Sequence, residues 1–305
     1  GFETIQREVS KILEDPTGRW ISPNFVPCII GNMAAGQVAI KFQANGPCID
    51  VVTACATSTH AIGEAYRAIK HGYADAILSG GTDKAVIPIG VAAFANAKTL
   101  SKIEDPKKAS LPFNANRDGF VMAEGSAVLM LEEYEHAKAR GAKIYAEVVG
   151  YGSTCDAYHA TAPNKEGTTQ ARCISDALSE AGFDPKKDNL YVNAHGTATH
   201  LNDLSETKAC KLALGDFAYK AHISSTKSMH GHMLGATGAA EAIASVLALR
   251  DGIVPPTINL DTPDPELDLD YTPNEAVKSD LTLAISNSFG FGGHNGCLAF
   301  RLVED

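Results

Sequence analysis

Short apolar or β-branched runs recur along the chain, at 48–54 (CIDVVTA), 75–80 (DAILSG), 126–132 (SAVLMLE), 144–152 (IYAEVVGYG), 190–195 (LYVNAH), 222–226 (HISST), 281–289 (LTLAISNSF) and 297–303 (CLAFRLV). Runs of this length, flanked by turn formers, predict buried strands. Between them the apolar period changes to that of a helix. Residues 58–72 repeat Ala and Ile at helical spacing and stop at Gly72; 167–183 start at Thr and end at Gly182; 235–252 are Ala-rich and close at Gly252. A glycine just past the last periodic residue is a helix stop. Alternating strands and helices imply an α/β fold with a largely parallel sheet covered on both faces. Residues 99–119 are polar and contain proline, which reads as a long ordered loop. The stretches beginning at Asp50 and at His222 echo each other, each running from a strand through a small-residue loop into an Ala-rich helix.

Composition narrows the class. With 305 residues and 45% hydrophobic content the chain can bury a large core, as one domain or two fused halves. The 36 acidic against 26 basic residues argue against nucleic acid as a partner. No apolar stretch approaches the ~20 residues of a membrane helix, and no secretory segment is visible, so no membrane association is expected. Seven scattered cysteines without a C-x-x-C pair signal neither a disulfide framework nor a zinc knuckle, and a reducing compartment fits them best.

The chemistry concentrates at predicted strand ends. Cys55, in TACATSTHAIG, follows a strand and precedes a helix, where first-turn N–H groups and the helix dipole favour a negative sulfur. The same groups could hold an oxyanion. His195 closes YVNAH, while Lys227 and His232 lie in STKSMHGHMLG. Strand C-terminal ends gather at one edge in α/β sheets, which would assemble these residues with the GFGG turn at 290–293. Phe289 and Phe291 would give that turn an apolar, gate-like surface, or it is a plain glycine-rich hairpin connection. His60, His71, His136 and His222 read as structural or solvated; His200, His230 and His294 stand nearer the expected site. Paired histidines such as His230 and His232 could ligate zinc, but no carboxylate or thiolate accompanies them at motif spacing, so no metal is expected.

Four ordered motifs, TACATSTHAIGEAYRAIKHGYADAILSGGTDKA, NAHGTATHLND, STKSMHGHMLGATGAAE and NSFGFGGHNG, resemble the β-ketoacyl-acyl-carrier-protein synthases of type II fatty-acid synthesis, the synthase II branch in particular. The resemblance spans essentially the whole chain, although that family begins with roughly another hundred residues. It implies a thiolase-like, layered αβαβα fold from two similar halves, divided here into 1–140, incomplete at its start, and 141–305. It implies a catalytic set of Cys55, His195 and His232, with Lys227 in support and Glu206 and Asp203 as the ionic partners of Lys227.

By the same resemblance the backbone of Cys55 and Phe291 forms the oxyanion hole, and Phe291 is the gate. Thr197 and Thr199 hold the pantetheine arm, Phe94 and Phe25 line the acyl pocket, Phe25 reaching across a homodimer interface, Phe289 beside the gate is a further substrate-binding residue, and Lys98 contacts the carrier. The implied reaction is the decarboxylating condensation of acyl- and malonyl-acyl carrier protein in fatty-acid elongation. It takes no dissociable cofactor, because the phosphopantetheine arm travels on the carrier. The expected location is cytoplasmic, or plastid or mitochondrial where a transit peptide preceded Gly1. A polyketide ketosynthase and a noncatalytic chain-length partner share the fold and stand as alternatives, the second normally lacking the cysteine. A degradative thiolase and the CoA-dependent initiating synthases fit the HGH motif less well.

Overall fold

The computed structural model describes residues 1–303. Its strands are β1 (Ala76–Asp83), β2 (Gly125–Glu132), β3 (Glu147–Cys155), β4 (Leu190–Asn193), β5 (His222–Ser224), β6 (Ile253–Val254), β7 (Val277–Lys278), β8 (Leu283–Gly290) and β9 (His294–Arg301). Its α-helices are α1 (Phe2–Glu14), α2 (Phe25–Ile29), α3 (Met33–Phe42), α4 (Thr57–Lys70), α5 (Pro88–Asn96), α6 (Tyr134–Ala139), α7 (Thr168–Glu180), α8 (His200–Leu214), α9 (Lys227–His230) and α10 (Thr237–Asp251). Gly72, Gly182 and Gly252, all at positive φ, follow α4, α7 and α10 as the glycine spacing predicts.

A five-stranded sheet in the order β3-β9-β8-β4-β5 carries the core. Successive side chains alternate faces, as strand geometry requires. Leu190 and Val192 of β4, Leu283 and Ile285 of β8, and Cys297 and Ala299 of β9 pack with Cys173, Ile174 and Ala177 of α7 and Ala209 and Cys210 of α8. Tyr191, Ala284, Leu298 and Phe300 face the other way, onto Ile62 and Ala65 of α4 and Ala239 and Ala242 of α10. Leu131 of β2 joins this second cluster, so α4 and α10 lie between the large sheet and the antiparallel β1–β2 ribbon. Helix, sheet, helix and sheet thus stack as four layers of the αβαβα arrangement. Val128 and Met130 on the outer face of β2 are exposed.

Two expectations change. The large sheet is mixed rather than largely parallel: β4 runs parallel to β5 and β8, whereas β9 is antiparallel to both β8 and β3. The reason is the GFGG segment. Gly290 pairs with His294, so a three-residue turn joins β8 to β9, and strands so joined must run antiparallel. Secondly, residues 48–54 form no strand; no described strand pairs with them, and Ile49 and Val52 are exposed. Alternation of apolar residues marks a surface suited to a sheet, but a strand needs a ladder partner.

The predicted loop at 99–119 is irregular apart from short bridges, and it is anchored. Arg117, almost fully buried, pairs with Asp264 at 2.6 Å and faces Asp203 at 3.5 Å, while Ser110 Oγ donates to the Lys227 carbonyl. Among the described residues no helix is long and apolar enough to cross a membrane.

Candidate active site

Cys55 sits in a single 3-10 turn, Ala54–Ala56, that leads directly into α4. Ala54 takes φ +51°, a conformation that L side chains rarely adopt. This sharp turn holds the sulfur at the wall of a cavity of about 80 Å³, room for a few waters. The cavity also gathers His195, His232, Phe94, Phe289, Phe291, Thr197 and Thr199. Residues as far apart in the chain as Cys55 and Asn295 therefore share one enclosure.

The gate turn lies against the nucleophile because of one glycine. A Cβ on Gly290 would stand 2.8 Å from the Thr53 carbonyl oxygen and 3.0 Å from the Cys55 nitrogen, so no other residue permits this approach. As a result the backbone N–H groups of Phe291 and Cys55 lie near enough to the sulfur to favour its charged form. These N–H groups and the Lys227 charge favour thiolate. Burial works the other way and wins, pushing the Cys55 thiol up to about 11. The expectation of a thiol lowered by its helix start is thus overturned, since loss of hydration outweighs the dipole.

His195 and His232 meet edge to face, ring centroids 5.4 Å apart. His195 is aimed by its backbone: the N–H groups of His195 and Gly196 donate to the two Glu206 oxygens at 2.7 and 2.8 Å. His232 is pinned through its main chain to Val121 and Ala123, and its Nδ1 lies 3.0 Å from Thr237 Oγ1. Burial, with the nearby Lys227 charge, lowers both imidazoles well below the usual histidine range and keeps them neutral. Phe289 packs edge-on to His195, and Phe94 joins Phe120 and Phe291 as an apolar wall. Thr197 and Thr199 hydroxyls are 3.0 Å apart.

The assigned partners of Lys227 are corrected. Lys227 Nζ, buried behind the histidines, pairs with Glu241 Oε1 at 2.6 Å. Glu206 holds the His195 backbone instead, and Asp203 accepts from the Phe113 N–H and faces Arg117. Glu241 escaped notice in the sequence. Its signal was a lone carboxylate amid the alanines of α10, far from Asp251 at the helix end, which can be buried only with a cation beside it. Gln170, which lines the cavity, also escaped notice because nothing in its local pattern distinguishes it from other first-turn polar residues.

Some candidates stand elsewhere. Phe25, on α2, does not line the cavity of its own chain, and Lys98 is exposed just after α5. His200 and His294 remain outside the cavity, while His230 Nδ1 turns to the Gly231 carbonyl. His60 is buried between Thr53 Oγ1 and the Asn295 carbonyl, a bracing role. No group of three or more His, Cys, Asp or Glu among the described residues is arranged to hold a metal ion.

A cysteine facing two neutral histidines beneath a glycine-borne gate, at the edge of a layered α/β core, defines a condensing enzyme of the ketosynthase class. The chain belongs to the β-ketoacyl synthase family: residues 3–137 match the beta-ketoacyl synthase N-terminal domain and 145–261 its C-terminal domain. It is 51% identical over 305 residues to 3-oxoacyl-[acyl-carrier-protein] synthase 2 of Synechocystis sp., covering 100% of this chain and 73% of that protein. It is also 51% identical over 304 residues to the synthase 2 of Staphylococcus aureus, again covering 73% of it. Among solved structures, a type II polyketide ketosynthase in complex with its acyl-carrier protein superposes with a TM-score of 0.94 at 38% identity, over 99% of this chain and 75% of that one. A beta-ketoacyl synthase from Burkholderia phymatum gives a TM-score of 0.92 at 38% identity, over 99% and 72%.

Proposed function

We infer that the protein condenses an acyl group from acyl carrier protein with malonyl-acyl carrier protein, releasing CO2 and forming 3-oxoacyl-acyl carrier protein in fatty-acid elongation. The carrying observation is the shared cavity of Cys55, His195 and His232, lined also by the Phe291 turn. The 51% identity to fatty-acid synthases against 38% to the polyketide ketosynthase favours elongation over polyketide assembly.

The chemistry runs in two transfers. In the first, the Cys55 sulfur forms a bond to the acyl carbonyl carbon, the carrier thioester bond breaks, and the Cys55 proton leaves with the carrier as its thiol. The N–H groups of Cys55 and Phe291 hold the tetrahedral oxyanion, and each such donor contributes about 100- to 1,000-fold in rate. In the second transfer, malonyl thioester loses CO2 and its electron pair becomes an enolate. Neutral His195 and His232 donate to the enolate oxygen; with Nδ1 engaged by Thr237, His232 keeps its Nε2–H for this task. The enolate carbon then bonds to the acyl carbon, and Cys55 departs with a proton from water as thiol. Lys227 favours the negative charge at each stage while Glu241 holds it in place.

Thr197 and Thr199 receive the arm, and Phe94 and Phe289 flank the acyl group. Lys98 contributes to carrier docking, and Phe25 completes the pocket of a second copy in a homodimer. The protein itself supplies no dissociable cofactor, the arm arriving with its carrier. Intact mass followed by peptide mapping, after incubation with a fatty acyl carrier protein, tests the reading. The expected adduct is an acyl group on Cys55; an adduct on another cysteine, or none on folded protein, overturns it.

A further inference from the structure

Gln170 stands in the first turn of α7, fully buried, and its side chain lines the cavity that holds Cys55. Neither its Oε1 nor its Nε2 has a hydrogen-bond partner. On the same cavity wall Asp156 is fully engaged, accepting from Asn295 Nδ2, Thr169 Oγ1 and the Asn164 N–H, while the Thr197 and Thr199 hydroxyls pair with each other and leave one O–H free for the arm. A buried amide with both a donor and an acceptor unused costs stability, so such groups mark a place where a guest completes the pairing.

The guest's chemistry follows from what is missing. One free donor and one free acceptor are matched by a ligand that carries secondary amides; because N–H and C=O point opposite ways in each trans amide, one amide supplies the N–H and another the C=O. A phosphate or a keto-bearing acyl chain offers acceptors alone and leaves Oε1 unpaired. The thioester arm of the carrier contains amides, and the reading of this protein as a carrier-dependent synthase is what brings that arm into the cavity.

We propose that Gln170 is a substrate-positioning residue that accepts from the N–H of one amide of the thioester arm and donates to the C=O of another, placing the thioester carbonyl at the Cys55 sulfur. The cavity in its present form holds only a few waters, so the pairing is made as the arm enters and the cavity widens.

The test compares acylation of Cys55 by hexanoyl-pantetheine, which has arm amides, and by S-ethyl hexanethioate, which has none. In Gln170→Leu the kcat/KM for the pantetheine thioester falls about 10- to 100-fold further than that for the ethyl thioester, the size expected for two neutral hydrogen bonds at a buried site, and mostly through KM. Gln170→Met, close in shape, shows the same selective loss, and its melting temperature separates it from misfolding. Equal falls for both thioesters, or an unchanged ratio in both variants, overturn the inference. Wild-type protein acylated at Cys55 with an unchanged ratio in the variants sinks this inference alone. Wild-type protein that accepts no acyl group from the carrier or from pantetheine sinks the functional reading as well.

Discussion

Lys227 Nζ lies 2.6 Å from Glu241 Oε1, both side chains sealed from water, directly behind the two cavity histidines. Glu241 is itself pushed up to about 7 by burial, with Lys227 acting against that rise. Lys227 is a buried positive charge that bears on Cys55, His195 and His232 together.

Removing one member of such a pair strands the other. Lys227→Ala is expected to destabilise the protein by about 3–5 kcal/mol in urea unfolding, while the double variant Lys227→Met, Glu241→Leu recovers most of that loss. Activity does not return with stability in the double variant, because the charge on the cavity is gone.

The histidine pair predicts an unusual pH profile. Both imidazoles are held below the usual range by burial and by Lys227, so they stay neutral through pH 6.5. Malonyl decarboxylation is expected to show no inflection at that pH, and chelators are expected to leave it unchanged. For stability the sign is that of a depressed base: the two histidines stabilise the fold above the unfolded value near 6.5, and that contribution is lost as pH falls. Replacing His195 or His232 with Ala should abolish decarboxylation.

Cys55 predicts the opposite slope. Its thiol titrates at about 11, raised by burial, so the free enzyme carries little thiolate near neutrality. Alkylation of Cys55 by iodoacetamide should climb through pH 8–10 without reaching a plateau, followed by peptide mapping. A plateau below pH 8 would mean that the dipole outweighs burial.

Gly290 predicts a separation of activity from folding. Its Cβ would push the gate turn off the Cys55 nitrogen and the Thr53 carbonyl. Gly290→Ala should lower Cys55 acylation about 100-fold or more through the displaced Phe291 donor. Its melting temperature, by differential scanning calorimetry, should fall less than that of Lys227→Ala.

The residues that react were legible because each lies within a short local pattern. Cys55 follows an apolar run and precedes a helix, His195 comes just after β4, and His232 follows β5 across the short α9, so each stands out in its local stretch. The strands of the large sheet and the glycine-terminated helices were legible for a similar reason, since alternation and helical period are properties of neighbours in sequence. What they could not show was pairing across the chain. Residues 48–54 have a strand's composition without a ladder partner, and the β8–β9 hairpin turned an expected parallel sheet into a mixed one.

The tertiary structure alone decided which charges meet and which win. Lys227 pairs with Glu241 rather than with Glu206 or Asp203, because α9 and α10 bring those two together while Glu206 is spent on the His195 backbone. Likewise the helix start could promise a low thiol value for Cys55, but its burial under the Phe291 turn set the direction. Electrostatic energy depends on distance and on exclusion of water, and neither is written in the spacing of residues along a chain.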